Sequence, residues 1–146
     1  MKKLTHVIYF VITAAVILLE ALPYGAVLNF ARAPEAGGGS IRRTYSYFDL
    51  TPYGYANFGP FLTAVLTAVM LILLLLAFFI RRQGLIRAAF ILNIPAVLTS
   101  LCPLLFGLRS YSAVGLVISL LLVLGLFPGA LALLKEPRRT EPPAEG

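Results

Sequence analysis

The chain has 146 residues, 60% of them hydrophobic and only 12% charged, about half the 25% charged share that a soluble domain keeps in order to face water. Its net charge of +6 comes from 12 Lys and Arg residues that flank apolar runs, the placement of membrane anchors and not of a nucleic-acid face, so the implied partner is the lipid bilayer. A single cysteine, Cys102, excludes an intrachain disulfide, CxxC redox chemistry and multi-cysteine metal sites.

The first apolar run follows Lys2-Lys3, extends from Leu4 to Leu22, and frays through Pro23-Tyr24-Gly25 towards Phe30. It predicts a helix over 4–30, because lipid offers backbone groups no partners outside a helix. No Ala-x-Ala pattern closes the run, which favours a retained helix over a cleaved signal. Glu20 is its one acidic residue and lies 16 positions after Leu4, roughly 24 Å along the axis and close to the far boundary. Intramembrane carboxylates often serve as ion or proton sites. The favoured reading is an anchor bonded to Arg109, Arg32 or the backbone that Pro23 leaves unpaired.

The segment 31–57 is the one sizeable connection, with a Gly37-Gly38-Gly39-Ser40 stretch read as a flexible hinge. Four of the seven tyrosines follow it: Tyr45 and Tyr47 alternate with Thr44 and Ser46 in a short strand-like pattern, then Tyr53 and Tyr55 surround a Thr51-Pro52-Tyr53-Gly54 turn. Arg42 and Arg43 stand just ahead of them. Tyrosine and arginine together suit a binding hot spot, and tyrosines beside a membrane also suit an anchoring belt. Arg42, Arg43, Tyr45, Tyr47, Tyr53 and Tyr55 are therefore the candidate partner surface, with packing over the mouth of a bundle as the equal alternative.

Three further helices are expected over 58–80, 85–106 and 113–134, each long enough for a hydrocarbon core of about 30 Å. The connections 81–84 and 107–110 are short and make these helices antiparallel neighbours. In the third helix Asn93 stands beside Pro95, placed to bond the carbonyls that proline frees, to bond a neighbouring helix, or to line a cavity. Small residues spaced by four, as in Ala64/Ala68, Ala96/Ser100, Gly115/Ser119 and Gly125/Gly129, mark faces for close helix contact within or between chains. The segment 136–146 holds three prolines and alternating charges and is expected to be a disordered cytoplasmic tail.

Eight cations (Lys2, Lys3, Arg81, Arg82, Arg87, Lys135, Arg138, Arg139) flank one side of the four runs and four (Arg32, Arg42, Arg43, Arg109) flank the other. The excess predicts a multi-pass protein of the cell membrane with both termini in the cytoplasm. The expected fold is an all-α antiparallel bundle of four transmembrane helices with one aromatic-rich extracytoplasmic loop carrying a short β element. Claudin-like and tetraspanin-like proteins share that layout, but their paired-cysteine loops cannot form from one cysteine. No nucleophile–base pair, metal set or cofactor motif is visible in the spacing. The expected role is a non-enzymatic accessory or interaction protein that meets another membrane or extracytoplasmic protein, or a second copy of itself, through the outer loop. The alternative is a small proton-coupled transporter or channel using Glu20 with Asn93.

Overall fold

The computed structural model describes residues 2–49 and 58–134. The Thr51–Gly54 turn, Tyr53, Tyr55 and the 136–146 tail lie outside them. Four α-helices, α1 (Lys2–Glu20), α2 (Phe58–Ile80), α3 (Gln83–Leu101) and α4 (Ala113–Leu134), accompany a two-stranded sheet of β1 (Ala26–Ala31) and β2 (Ser40–Tyr45). Three apolar segments are long enough to cross a membrane: Phe58–Ile80, Gln83–Phe106 and Ala113–Leu134. The apolar part of α1, Leu4–Glu20, is shorter.

The helices pack in cyclic order, α2 on α3, α3 on α4, α4 on α1 and α1 on α2. Side-chain pairings make every neighbour antiparallel. Phe10 meets Phe78 edge to face and Glu20 meets Thr67 across α1 and α2. Asn93 meets Leu122, and Ser100 meets Ser119, across α3 and α4. β-Carbons on Gly125 and Gly115 would touch Tyr9 and the Gly25 carbonyl respectively, so α4 runs down as α1 runs up. Gly115, Ser119, Gly125, Gly129, Ala64, Ala96 and Ser100 are all buried. Of these small-residue faces only Ala68 is half-buried; the rest make contacts within the chain, where small side chains let backbones approach.

Several expected boundaries change. The first helix does not reach Phe30: α1 ends at Glu20, and 26–31 is a strand. Pro23 has no N–H and forces its predecessor out of helical geometry, so the last turn loosens through a Leu22 N–H to Leu19 carbonyl bond and the chain leaves as an extended segment. β1 pairs antiparallel with β2 from Ala26↔Tyr45 to Ala31↔Ser40. The β element thus begins at Ser40, not Thr44, and takes its partner from sequence first assigned to the helix. The three glycines, expected as a hinge, form the return of this hairpin. Gly37, Gly38 and Gly39 all have positive φ, a conformation that costs other residues a β-carbon clash. Gly37 also closes a 3-10 turn, Pro34–Ala36, through its N–H to the Pro34 carbonyl. In the third segment Pro103 halts the α-helix at Leu101, and Cys102–Phe106 continues as 3-10 turns.

Candidate functional site

The sites that carry polar chemistry lie inside the bundle and at its hairpin end. Along α1 the buried positions are Tyr9, Thr13, Val16 and Glu20, spaced by three and four so that one face turns inward. Thr63 and Thr67 do the same on α2, Asn93 and Ser100 on α3, Ser112 and Ser119 around the start of α4. Each hydroxyl finds an acceptor. Thr13 donates to the Tyr9 carbonyl at 2.9 Å, Thr63 to the Gly59 carbonyl at 2.8 Å, and Ser100 to the Val97 carbonyl at 2.8 Å, the local back-bonding that short hydroxyl side chains use within helices.

Glu20 is fully buried, 0% exposed. Its Oε2 accepts from the Thr67 hydroxyl at 2.6 Å, and its Oε1 has no hydrogen-bond partner. Its partner is thus Thr67, not Arg109 or Arg32. Nor does the carboxyl bond the backbone near Pro23; instead the main-chain carbonyl of Glu20 accepts from the Tyr47 N–H and the Ser46 hydroxyl, both at 2.9 Å. These bonds satisfy an orphan carbonyl at the end of α1 and tie the strand exit to the bundle. Ser46 in turn is fixed by Asp49, whose Oδ2 accepts the Ser46 N–H at 2.8 Å.

Tyr47, 1% exposed, fills the space between α1 and α4. A β-carbon on Gly115 would come within 3.2 Å of its hydroxyl and 3.3 Å of the Gly25 carbonyl, so a larger residue there would crowd this ring. Burial, with Tyr111 and Glu20 nearby, pushes the Tyr47 phenol above its ordinary range. Ser112 donates to the Gly25 carbonyl and accepts from the Gly115 N–H at 2.8 Å, bridging the hairpin to the first turn of α4. Tyr111 pairs with Ser119, which reaches Ser100 at 2.9 Å. Sequence reasoning missed Thr67, Ser46, Tyr111 and Ser112. The available signal for Thr67 was its place four residues after Thr63, the two hydroxyls of an otherwise apolar helix.

Asn93 is also fully buried. Its Nδ2 donates to the Leu122 carbonyl at 3.3 Å, so it bonds a neighbouring helix, and its Oδ1 has no partner. It lies midway along the bundle beside Gly125, near Tyr9, whose hydroxyl donates to the Ala89 carbonyl at 3.2 Å. Tyr9 lies eleven residues before Glu20 on α1, about 16 Å along the axis. The structure therefore does not bring Glu20 and Asn93 together.

The remaining candidates are on the hairpin. In β2 the side chains from Ser40 to Thr44 are all exposed, and Tyr45 is half-buried. Alternation puts Ile41, Arg43 and Tyr45 on one face, where with Phe30 they line an open recess of about 260 Å³. Arg42 is on the other face and donates to the Tyr111 carbonyl at 3.1 Å. Arg109 lines a second recess there, with Arg42 and Tyr111. Tyr47 faces the bundle interior and leaves the candidate partner surface. No family model, curated protein or solved structure matches the chain.

Proposed function

We propose that the chain is a four-span membrane protein whose role is interaction, with the outer hairpin as a docking platform for an extended acidic segment of another membrane or extracytoplasmic protein. The observation that carries this reading is the contrast between the two strands. Ala26, Val27 and Leu28 of β1 are buried, and Ser46, Tyr47, Ser112 and Gly25 stitch the hairpin to the helices, yet β2 is exposed from Ser40 to Thr44. A held strand whose other edge has no partner strand among the described residues is a template for adding another strand. Arg43 between Ile41 and Tyr45 offers a cation flanked by apolar contacts, the mixture favoured at binding hot spots.

The bilayer reading is supported by the inverted distribution of side chains. The interior holds Thr, Ser, Asn, Glu, Gly and Ala beside Tyr9, Val16, Met70, Ile118 and Leu122, while Leu18, Ile72, Phe79, Leu98, Leu120 and Phe127 point outward. The same inversion extends to α1, whose 19 residues reach about 28 Å, close to the thickness of the hydrocarbon core. A photo-crosslinking residue at Ile41 in native membranes tests the platform. A discrete protein adduct that is lost with Arg43→Glu and kept with Arg32→Gln is expected. Adducts with lipid alone, or an adduct indifferent to Arg43→Glu, would overturn the reading. The second reading, a proton-coupled transporter or channel, is favoured by the partnerless Oε1 of Glu20 inside an apolar bundle.

A further inference from the structure

We infer that the recess between the hairpin and the α3–α4 link binds a phosphate group, with a membrane phospholipid as its source. This site is on the opposite face of the hairpin from the proposed protein-docking face. The recess measures about 440 Å³ and is lined by Asn29, Ser40, Arg42, Leu108, Arg109 and Tyr111. Two guanidinium side chains and a serine hydroxyl converge there, and no carboxylate is among the lining residues. Two like charges in one recess repel unless an anion sits between them, and planar guanidinium forks match phosphate oxygens two at a time.

Part of the recess is already oriented. One N–H of Arg42 is fixed on the Tyr111 carbonyl at 3.1 Å, which aims the rest of its fork. Asn29 donates to the Ser110 hydroxyl at 3.2 Å, which holds the link carrying Arg109 against β1. The lipid source follows from what borders the site. Leu105, Phe106 and Leu108 are 83%, 69% and 84% exposed on the same link. Side chains so apolar and so exposed suit acyl chains, and they meet the cationic recess where a headgroup would lie.

The test uses the full chain in maltoside micelles, with thermal unfolding as the readout and phosphatidylglycerol, diacylglycerol or inorganic phosphate as probes. The bilayer reading of the helices predicts the lipid arm, and the inorganic phosphate arm reads the recess without it. Phosphatidylglycerol should raise the unfolding temperature and diacylglycerol, with the same chains, should not. Arg109→Gln should weaken the lipid effect roughly tenfold in apparent affinity, the loss of a charge-assisted contact. Arg42→Gln removes the Tyr111 bond as well, so Arg42→Lys supplies a variant that keeps the charge without the fork, and Arg32→Gln, which lines neither recess, is the control that should change nothing. Stabilisation by inorganic phosphate above equal-ionic-strength chloride, lost in Arg109→Gln, would keep the phosphate site and move its source to a soluble ligand. No phosphate-dependent rise, or one as large in Arg109→Gln and Arg42→Lys as in the unaltered chain, would overturn the inference.

Discussion

At the scale of single residues, Glu20 is the costly feature. A carboxyl group with one oxygen unpartnered in an apolar interior gains less from its Thr67 bond than full solvation would supply. Thr67 also has the Thr63 and Ala64 carbonyls within 3.0 Å, so it does not depend on the carboxyl. That asymmetry gives a directional prediction. Thr67→Val should lower stability by about 1–3 kcal/mol, because it strips Glu20 of its hydrogen bond. In a Glu20→Leu background the same change should cost distinctly less, and denaturant unfolding of the four variants yields the coupling directly. Equal costs in both backgrounds would mean that the Thr67 contact carries no energy. If Glu20→Gln preserves unfolding behaviour but abolishes a proton flux in liposomes, the carboxyl is kept for transport and the docking reading fails. Tyr47 adds a pH term of known sign. Its phenol is raised by burial, so its contribution is full below the ordinary phenol range near 10 and is lost as pH climbs beyond it.

At the scale of elements, the glycines of the hairpin and of α3 should respond oppositely to the same methyl group. A β-carbon on Gly37 or on Gly84 meets nothing within 4 Å, but only Gly37 has a positive φ, +94°. Gly37→Ala should therefore destabilise the hairpin by about 1–2 kcal/mol and speed amide exchange in β1 and β2. Gly84→Ala, in the first turn of α3, should be neutral or stabilising by up to about 1 kcal/mol. Deleting 37–40 should unpair the hairpin, because Ser40 is the partner of Ala31. This return was the part of the fold hardest to read in the sequence. Long charge-free runs announce α2 and α4 plainly, since nothing but a helix satisfies so many backbone groups in lipid. Ala26–Ala31 is equally apolar and continues an apolar run, so composition assigns it to the helix. Pro23 and Gly25 were the breaking signal, and the glycine triplet marked the turn, but pairing two six-residue segments across it is a tertiary event. The site was legible in the same uneven way. Glu20 and Asn93 stand out as polar residues in apolar helices, whereas Thr67 and Ser112 resemble many membrane hydroxyls until the helices assemble.

At the scale of the whole molecule, the bundle has two unlike ends. One carries the hairpin, with Arg32, Arg42, Arg43 and Arg109 beside the ends of the helices. The other carries the two-residue link Arg81-Arg82 between α2 and α3. Arg81 has a positive φ of 53°, so this turn accepts backbone strain with a cation where glycine would fit more easily. Cations held at that end at a conformational cost agree with the charge excess that would keep it in the cytoplasm. Single-cysteine variants in a Cys102→Ser background test the orientation. Cysteine placed at Ser40, exposed beside the hairpin turn, should react with an impermeant maleimide in intact cells. Cysteine at Gly84, beside the α2–α3 link, or at Thr140 in the tail should react only after the membrane is opened. Labelling at Gly84 in intact cells with Ser40 protected would invert the molecule, put the hairpin in the cytoplasm and move any docking partner there. Labelling at Ser40 and Thr140 alike, with Gly84 protected, would take α3 or α4 out of the membrane. None of these positions reads α1, the shortest apolar helix; cysteine at Lys2 does, and its labelling in intact cells together with Ser40 would take α1 out of the membrane and leave Glu20 at the flank of a three-helix protein, not within a span.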